Sequence, residues 1–211
     1  MVATALAVLG SLTAAGARAE PAKEAIKDQS KPPVDVNTVF SKRLFAAEVA
    51  QKKKAYACFV RQYDAAHLAK HPLQKVNAMK LLVTGEILPE AEKLNYSFRL
   101  GVNFRKRPGN FDSSGACNHS EVSENPDGKE MLGCGVDCDG GGISIELPKG
   151  EKFTLVRLES IRIWRNNKPE EEGFELSGGA DDKVFRLDRA SLDQCKSLVT
   201  DRQELAAMRR K

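Results

Sequence analysis

The stretch YSFRLGVNFR, at positions 96–105, alternates strictly between large apolar side chains and polar or small ones. Its apolar members occupy every second position: Tyr96, Phe98, Leu100, Val102 and Phe104. Successive side chains of a β-strand point to opposite faces of the sheet, so a period of two predicts a strand with one buried and one solvated face. This stretch therefore predicts a core built on a β-sheet.

Shorter runs on both sides of this stretch are also strand candidates. They lie at positions 76–83, 143–147, 153–164, 174–176 and 184–187. Within positions 156–163 the alternation slips by one residue at Glu159 and Ser160, which indicates a β-bulge. Turn signals such as Pro148-Lys149-Gly150 separate the runs. Several strands with short polar connections favour a mostly antiparallel sheet, folded as a sandwich or a small barrel.

An N-terminal helical region is predicted from about Thr38 to His71. Its apolar stripe follows the i, i+3, i+4, i+7, i+11 spacing of one helix face: Tyr56, Phe59, Val60, Tyr63 and His67. Pro72 disfavours helical geometry at His71, so the helix is expected to end there.

The C-terminal segment returns to helical spacing after Ser191. Ser191 with Gln194, and Thr200 with Gln203, each match a capping box, in which a Ser or Thr precedes a Gln or Glu by three residues. The predicted fold class is therefore α+β: a mostly antiparallel sheet with an N-terminal helix and a C-terminal helical segment.

The first 19 residues have the features of a signal peptide. The chain is apolar or small from Val2 to Ala17, and Ala17-Arg18-Ala19 matches the small-x-small rule for cleavage. Positions 20–37 are charged, contain three prolines and carry few large apolar groups, as a flexible linker does. We therefore predict a signal peptide at 1–19, a linker at 20–37 and one disulfide-stapled domain at 38–211, located in the periplasm or secreted.

Charge and hydropathy argue against two classes of partner. The 33 Lys and Arg nearly balance the 29 Asp and Glu, for a net charge of +4. Nucleic-acid binders usually concentrate a strong basic excess, so no nucleic-acid partner is expected. After position 19 no run approaches the roughly 20 apolar residues of a spanning helix, so no transmembrane anchor is expected.

The five cysteines predict two disulfides and one unpaired thiol in an oxidising compartment. Cys58 and Cys195 lie in the two helical flanks, and their pairing would join those flanks. Cys117 would pair with Cys134 or with Cys138, and the sequence leaves this choice open. Zinc bound by Cys117, Cys134, Cys138 and His119 is the alternative, but the spacing matches no common zinc ribbon.

The densest motif is Cys134-Gly135-Val136-Asp137-Cys138-Asp139-Gly140-Gly141-Gly142. Asp137 and Asp139 offer oxygen ligands for a cation such as calcium, although the spacing fails the EF-hand pattern after Gly140. The simpler interpretation is that both aspartates accept hydrogen bonds from amides of a glycine turn. The sequence implies no cofactor.

The solvated face of the sheet carries the residues predicted to bind a ligand. Arg99 and Arg105 share one face of the strand predicted at positions 96–105, and Arg162 shares a face with Trp164 after the bulge. Such a surface could bind an anionic glycan, a lipid headgroup or an acidic partner. Ordinary pairing of these arginines with glutamates of neighbouring strands is the alternative.

Several motifs resemble a group of small exported proteobacterial proteins that carry no assigned activity. The similarity runs through Ser113-Ser114-Gly115-Ala116-Cys117, the nine-residue motif from Cys134, and Ile161-Arg162-Ile163-Trp164, and continues from Gly178 to Arg189. It implies an exported α+β protein, and no substrate or cofactor.

The function expected from the sequence is therefore that of an exported, non-catalytic protein that binds an envelope ligand or a protein partner. The alternative is a metal-dependent or thiol-based enzyme that uses the region from Cys134 to Gly142. No Ser, Cys or Asp lies in a recognisable nucleophile motif such as G-x-S-x-G.

Overall fold

The structure is a computed structural model and describes residues 38–88, 93–120, 129–150, 152–166, 168 and 172–208. The predicted signal peptide and linker lie outside these residues. Nine strands make up most of the fold: β1 (Lys54–Gln62), β2 (Val76–Ile87), β3 (Leu94–Phe104), β4 (Phe111–Ser120), β5 (Met131–Gly135), β6 (Gly141–Glu146), β7 (Phe153–Arg165), β8 (Phe174–Ser177) and β9 (Val184–Ala190). The helices are α1 (Val39–Phe45), α2 (Ala65–Lys70) and α3 (Arg202–Met208), with a 3₁₀ helix at Leu192–Leu198. The predicted α+β class with a mostly antiparallel sheet is confirmed.

Eight of the strands pair in a continuous circuit. The pairings run from β1 through β2, β3, β4, β5, β6 and β7 to β9, which pairs again with β1, and every pair is antiparallel. β4 and β7 also pair directly at Phe111–Arg165 and Asp112–Trp164. The β5–β6 hairpin therefore fills the space where β4 and β7 diverge.

β7 carries the predicted bulge. Gly142 of β6 lies opposite Ser160, whereas the next residue, Ile143, lies opposite Leu158. Glu159 is therefore the extra residue, as the slip in the alternation predicted.

The prediction of a helix across residues 54–62 is wrong, because β1 occupies them. Phe59 packs in the larger hydrophobic cluster, whereas Tyr56 and Cys58 pack in a second cluster with the C-terminal elements. Both faces of β1 are thus buried, and a strand buried on both faces loses the alternation that would reveal it. Helices do form at the two ends of the region. α1 is capped by Thr38, and α2 ends at Lys70, before Pro72 as expected.

The second cluster attaches the C-terminal elements to the sheet. A disulfide joins Cys58 on β1 to Cys195 in the 3₁₀ helix, with 5.9 Å between the Cα atoms. The predicted capping boxes are wrong: the Ser191 side chain makes no cap, and Asp201, not Thr200, accepts the hydrogen bond from the Glu204 amide. Asp is as effective an N-cap as Ser, so a neighbouring Asp readily takes the role.

None of the helices in the described part of the chain has both the length and the apolarity to cross a membrane.

Candidate functional site

The cysteine pairing follows from the strand register. Cys117 of β4 lies directly opposite Cys134 of β5, and the two form the second disulfide. Cys138 is the free cysteine, and its side chain is exposed. The structure thus confirms the pairing of Cys58 with Cys195 and selects Cys134 as the partner of Cys117.

The hairpin tip that carries Cys138 is a tight turn wedged between β4 and β7. Cys138 and Asp139 have φ angles of 58° and 59°, in the left-handed region that residues other than glycine seldom adopt. The Gly140 carbonyl accepts a hydrogen bond from the Arg162 amide of β7 at 2.7 Å. On the other side, a Cβ at Gly115 of β4 would collide with the Gly135 carbonyl oxygen. The glycines of this motif therefore permit close backbone packing.

Asp137 and Asp139 do not act as the hydrogen-bond acceptors of this turn. Both side chains are exposed, and neither accepts a hydrogen bond from a residue that the structure describes. The described ranges contain no group of three or more His, Cys, Asp or Glu arranged to hold a metal ion. The turn is instead held by its backbone, since the Val136 amide donates to the Gly141 carbonyl at 2.9 Å.

Arg99, predicted to bind a ligand, is engaged in an internal ion pair. Its guanidinium donates two hydrogen bonds to the Glu204 carboxylate of α3, at 3.0 and 2.9 Å. Burial alone would raise the pKa of Glu204, but the hydrogen bonds and charge of Arg99, with the charge of Lys54, outweigh burial and lower that pKa. Burial, followed by the neighbouring Glu204 charge, raises the pKa of Tyr56 to about 12.

Of the other three predicted binding residues, Arg105 lies just after β3, whereas Arg162 and Trp164 lie two residues apart on β7. Arg105 follows β3, and its Nη1 lies 3.3–3.4 Å from four carbonyl oxygens of residues 68–74. Arg162 is exposed and lies opposite Glu175 of β8. Trp164 packs over Gly173, where a Cβ would lie 2.7 Å from the indole Nε1. Arg99 and Arg105 are thus engaged by other residues of the protein, and that Arg162 and Trp164 bind a ligand stays a prediction.

A cavity of about 440 Å³ lies beside β8, and we call it the β8 groove. Three chain segments line it: residues 72–75, residues 104–107 and residues 174–176. Its volume falls within the range of roughly 300–1,000 Å³ that is typical of ligand sites.

The floor of the β8 groove is aromatic. Phe104, Phe111 and Phe174 form a mutually packed triad, with ring centroids 5.3–5.9 Å apart. Leu73 lies at the opposite wall with 65% of its surface exposed. The groove therefore has an apolar lining formed by Phe104, Phe174 and Leu73, with the buried Phe111 packed behind it.

The rim of the groove is cationic. Lys75, Lys106 and Arg107 are all exposed, and none forms an ion pair with a carboxylate in the described ranges. The Arg107 guanidinium lies 3.7 Å from the centroid of the Phe174 ring, over the aromatic floor. Among the described residues of the lining, Glu175 carries the one carboxylate. Its pKa is lowered by hydrogen bonds from Ser177 and Ser160.

Two consecutive aspartates hold the wall formed by residues 72–75. The Asp181 carboxylate accepts a hydrogen bond from the Leu73 amide at 3.0 Å. Asp182, which is fully buried, accepts hydrogen bonds from the Lys75 and Val76 amides at 2.7 and 3.3 Å. The wall is thus fixed by side chains of the loop between β8 and β9.

Sequence reasoning missed the β8 groove because its walls come from three distant segments. One signal was present: the basic run Arg105-Lys106-Arg107 follows directly after the aromatic end of the clearest strand. An apolar strand end beside a cluster of cations is a pattern that ligand sites use.

Comparison of the chain with protein-family models, with curated proteins and with solved structures finds no match. The resemblance to small exported proteobacterial proteins therefore stays a prediction.

Proposed function

We propose that this is an exported, non-catalytic binding protein, and that the β8 groove is its ligand site. The observation that carries the proposal is the combination of an apolar lining with three rim cations that pair with no carboxylate of the described residues. Export is supported by the two disulfides, which persist mainly in oxidising compartments.

The lining of the groove favours binding over catalysis. General acid–base chemistry at neutral pH is most efficient when the catalytic pKa lies near the working pH. The lowered pKa of Glu175 moves this carboxylate away from that range. The remaining polar side chains among the described lining residues are Gln74 and the cations, which suit recognition of a ligand.

The chemistry of the groove defines the ligand as an apolar body that bears an acidic group. The body would pack on Phe104, Phe174 and Leu73, whose apolar surface it would remove from water. The acidic group would meet Lys75, Lys106 or Arg107, and Arg107 can offer two parallel hydrogen bonds to a carboxylate or phosphate.

Dodecanoate and 8-anilinonaphthalene-1-sulfonate (ANS) are suitable probes, because each joins an apolar body to one anionic group. We expect both to shift the amide NMR signals of residues 73–75, 105–107 and 174–176. Arg107→Glu should weaken ANS binding roughly tenfold or more, because a charge-assisted contact becomes a repulsive one.

Arg186→Glu is the matched control for this experiment. The Arg186 guanidinium also stacks on a phenylalanine, 4.0 Å from the centroid of the Phe153 ring, but it lies outside the groove. ANS affinity should change less than twofold in this variant. Equal effects of the two substitutions, or shifts that map away from the groove, would contradict the proposal.

The alternative is a thiol-based activity at Cys138, and one observation favours it. Cys138 is exposed, whereas the other four cysteines are paired. Reactive thiolates usually have cationic neighbours, however, and the sequence neighbours of Cys138 are Asp137 and Asp139. We therefore place this function second.

A further inference from the structure

β8 has a free edge, and this edge borders the β8 groove. β8 is the terminal strand in the order of pairings, and β7 is its sole partner among the described strands. Phe174, Glu175 and Leu176 of β8 line the groove. An unpaired strand edge presents backbone N–H and C=O groups that can pair with another chain.

The register of β7 with β8 shows which backbone groups are free. The Gly178 amide donates to the Glu159 carbonyl at 2.8 Å, so the backbone at Gly178 points toward β7. Backbone direction alternates along an antiparallel strand, so Leu176 and Phe174 also point toward β7. The N–H and C=O groups of Glu175 and Ser177 consequently point to the free edge.

The opposite wall of the groove, in contrast, has its amides already bonded. The amides of Leu73 and Lys75 donate to Asp181 and Asp182. The Gln74 amide donates to the His71 carbonyl at 3.1 Å, and Pro72 has no amide hydrogen. The backbone groups of Glu175 and Ser177 are therefore open to a ligand, whereas the amides of residues 73–75 are engaged.

The charges that line the groove favour an acidic partner. Lys75, Lys106 and Arg107 lie on the rim without a carboxylate partner in the described ranges, and Glu175 carries the one carboxylate among the described lining residues. The nearby Asp181 and Asp182 carboxylates are engaged by backbone amides of the wall. Successive side chains of an added strand would point to opposite faces. One set would fall on the aromatic floor, and the other set would face solvent beside the cationic rim.

We propose that the ligand of the β8 groove is an extended acidic segment of another protein, which adds as a strand to the free edge of β8. Strand addition obtains affinity from main-chain hydrogen bonds and specificity from pockets for alternate side chains. A segment that alternates apolar and acidic residues fits both requirements. This inference rests on the proposed function and names the ligand class of the same site.

The test is a fluorescence-anisotropy titration with a labelled hexapeptide that alternates glutamate and leucine. Lysine in place of glutamate should abolish its binding, because the rim is cationic. A second version is N-methylated at the residues whose amides would face β8. Its affinity should fall roughly five- to tenfold, because N-methylation removes the donors and obstructs the approach of the backbone.

A substitution in β8 tests the same bonds from the side of the protein. Glu175→Pro removes the outward N–H and leaves the β7 pairing intact, since edge strands tolerate proline where the N–H faces outward. It should weaken peptide binding roughly five- to tenfold. Glu175→Gln keeps the N–H and removes a repelling carboxylate, so it should tighten binding severalfold. If Glu175→Pro fails to fold, the N-methylated peptide still decides the question with the unaltered protein.

The outcomes separate this inference from the proposed function. If ANS binds with its Arg107 dependence but the N-methylated peptide binds as tightly as its parent, strand addition is overturned and the ligand site stands. If dodecanoate binds the groove and the glutamate–leucine peptide does not, the ligand is a small amphiphile and the inference is also overturned. If none of the three probes binds in the groove, both proposals fail.

Discussion

Arg99 on β3 and Glu204 on α3 face each other through two parallel hydrogen bonds. Nη1 donates to Oε1 at 3.0 Å, and Nη2 donates to Oε2 at 2.9 Å. The Glu204 side chain is 7% exposed and the Arg99 side chain 30% exposed. The pair therefore ties the C-terminal helix to the sheet in a setting where loss of one partner leaves a charge poorly solvated.

Glu204→Gln should lower the free energy of unfolding at pH 7 by about 2–3 kcal/mol, because charged hydrogen bonds of this kind are lost. Urea denaturation followed by circular dichroism measures the change. Glu48→Gln is the control, since Glu48 pairs with Lys42 at 2.9 Å on the surface, with exposed side chains. Glu48→Gln should lower the free energy of unfolding by less than about 1 kcal/mol. Equal losses in the two variants would contradict the assigned role of Glu204.

The same pair predicts a pH dependence of stability. The pKa of Glu204 is lowered in the folded protein from its ordinary value of 4.5. At a pH between the folded-state and unfolded-state pKa values of Glu204, the unfolded chain binds more protons than the folded one. The free energy of unfolding therefore rises with pH in that window. The contribution of Glu204 is complete above pH 4.5 and is lost as the pH falls through the folded pKa. The difference in stability between the wild type and Glu204→Gln should therefore shrink below pH 4.5. A difference that stays constant from pH 7 to pH 3 would contradict the lowered pKa.

The two disulfides should contribute unequally to stability. Cys58 and Cys195 are 137 positions apart, whereas Cys117 and Cys134 are 17 apart. In the chain-entropy model the longer loop contributes about 4–5 kcal/mol and the shorter about 3 kcal/mol. Double alanine variants of each pair, compared by urea denaturation, measure the two contributions. A larger loss from the Cys117–Cys134 pair would argue against loop entropy as the cause.

Thiol titration of the denatured, unreduced protein checks the pairing itself. We expect one reactive thiol per chain, and none in the Cys138→Ala variant. Three or more thiols would overturn the assignment of two disulfides.

Asp182→Ala should loosen the wall of the β8 groove. The substitution leaves the amides of Lys75 and Val76 without their acceptor, and an unsatisfied buried amide costs about 1–3 kcal/mol. Hydrogen exchange at residues 73–76 should accelerate, and ANS binding should weaken. Asp181→Ala is the matched control because its hydrogen bond to the Leu73 amide is exposed and its contact with His71 Nδ1 is long, at 3.7 Å. If Asp181→Ala accelerates hydrogen exchange and weakens ANS binding as much as Asp182→Ala does, the burial of Asp182 does not explain its effect.

Cys138→Gly should stabilise the hairpin tip. A left-handed backbone costs a residue with a Cβ roughly 1–2 kcal/mol, and the added freedom of glycine in the unfolded chain offsets about half of this. The expected net gain is about 0.5–1 kcal/mol, measured as a higher Tm. Cys138→Ala also removes the thiol but keeps the Cβ, so it should leave Tm nearly unchanged. A gain of equal size in both variants would show that the thiol, and not the backbone, is the source.

The sequence predicted those parts of the fold that depend on local pattern. β3 and the bulge at Glu159 follow from the period of two, since each has one buried face. β1 was missed because tertiary packing covers both of its faces, and no local pattern reveals that. The pairing of Cys58 with Cys195 was predictable because these cysteines alone lie in the flanks.

The candidate site was less predictable, because it depends on which segments meet. Of the arginines expected to form a surface, Arg99 is neutralised by Glu204 from the far end of the sequence. The β8 groove requires Leu73, Arg107 and Phe174 to lie together, and only the strand pairings bring them there. Strand order of this kind is set by long-range contacts that a single sequence does not display.

The disulfide between Cys58 and Cys195 also determines whether the fragments of this protein separate after proteolytic cleavage. Every strand from β2 to β9 lies inside the loop that this disulfide closes, together with most of the aromatic core. A single cut anywhere between those cysteines yields two peptides that stay covalently joined. A nicked molecule would keep its mass on a non-reducing gel and separate into fragments only after reduction. In a protease-rich compartment, a cut in a surface loop within that span would open the chain without detaching the β8 groove from the rest of the domain.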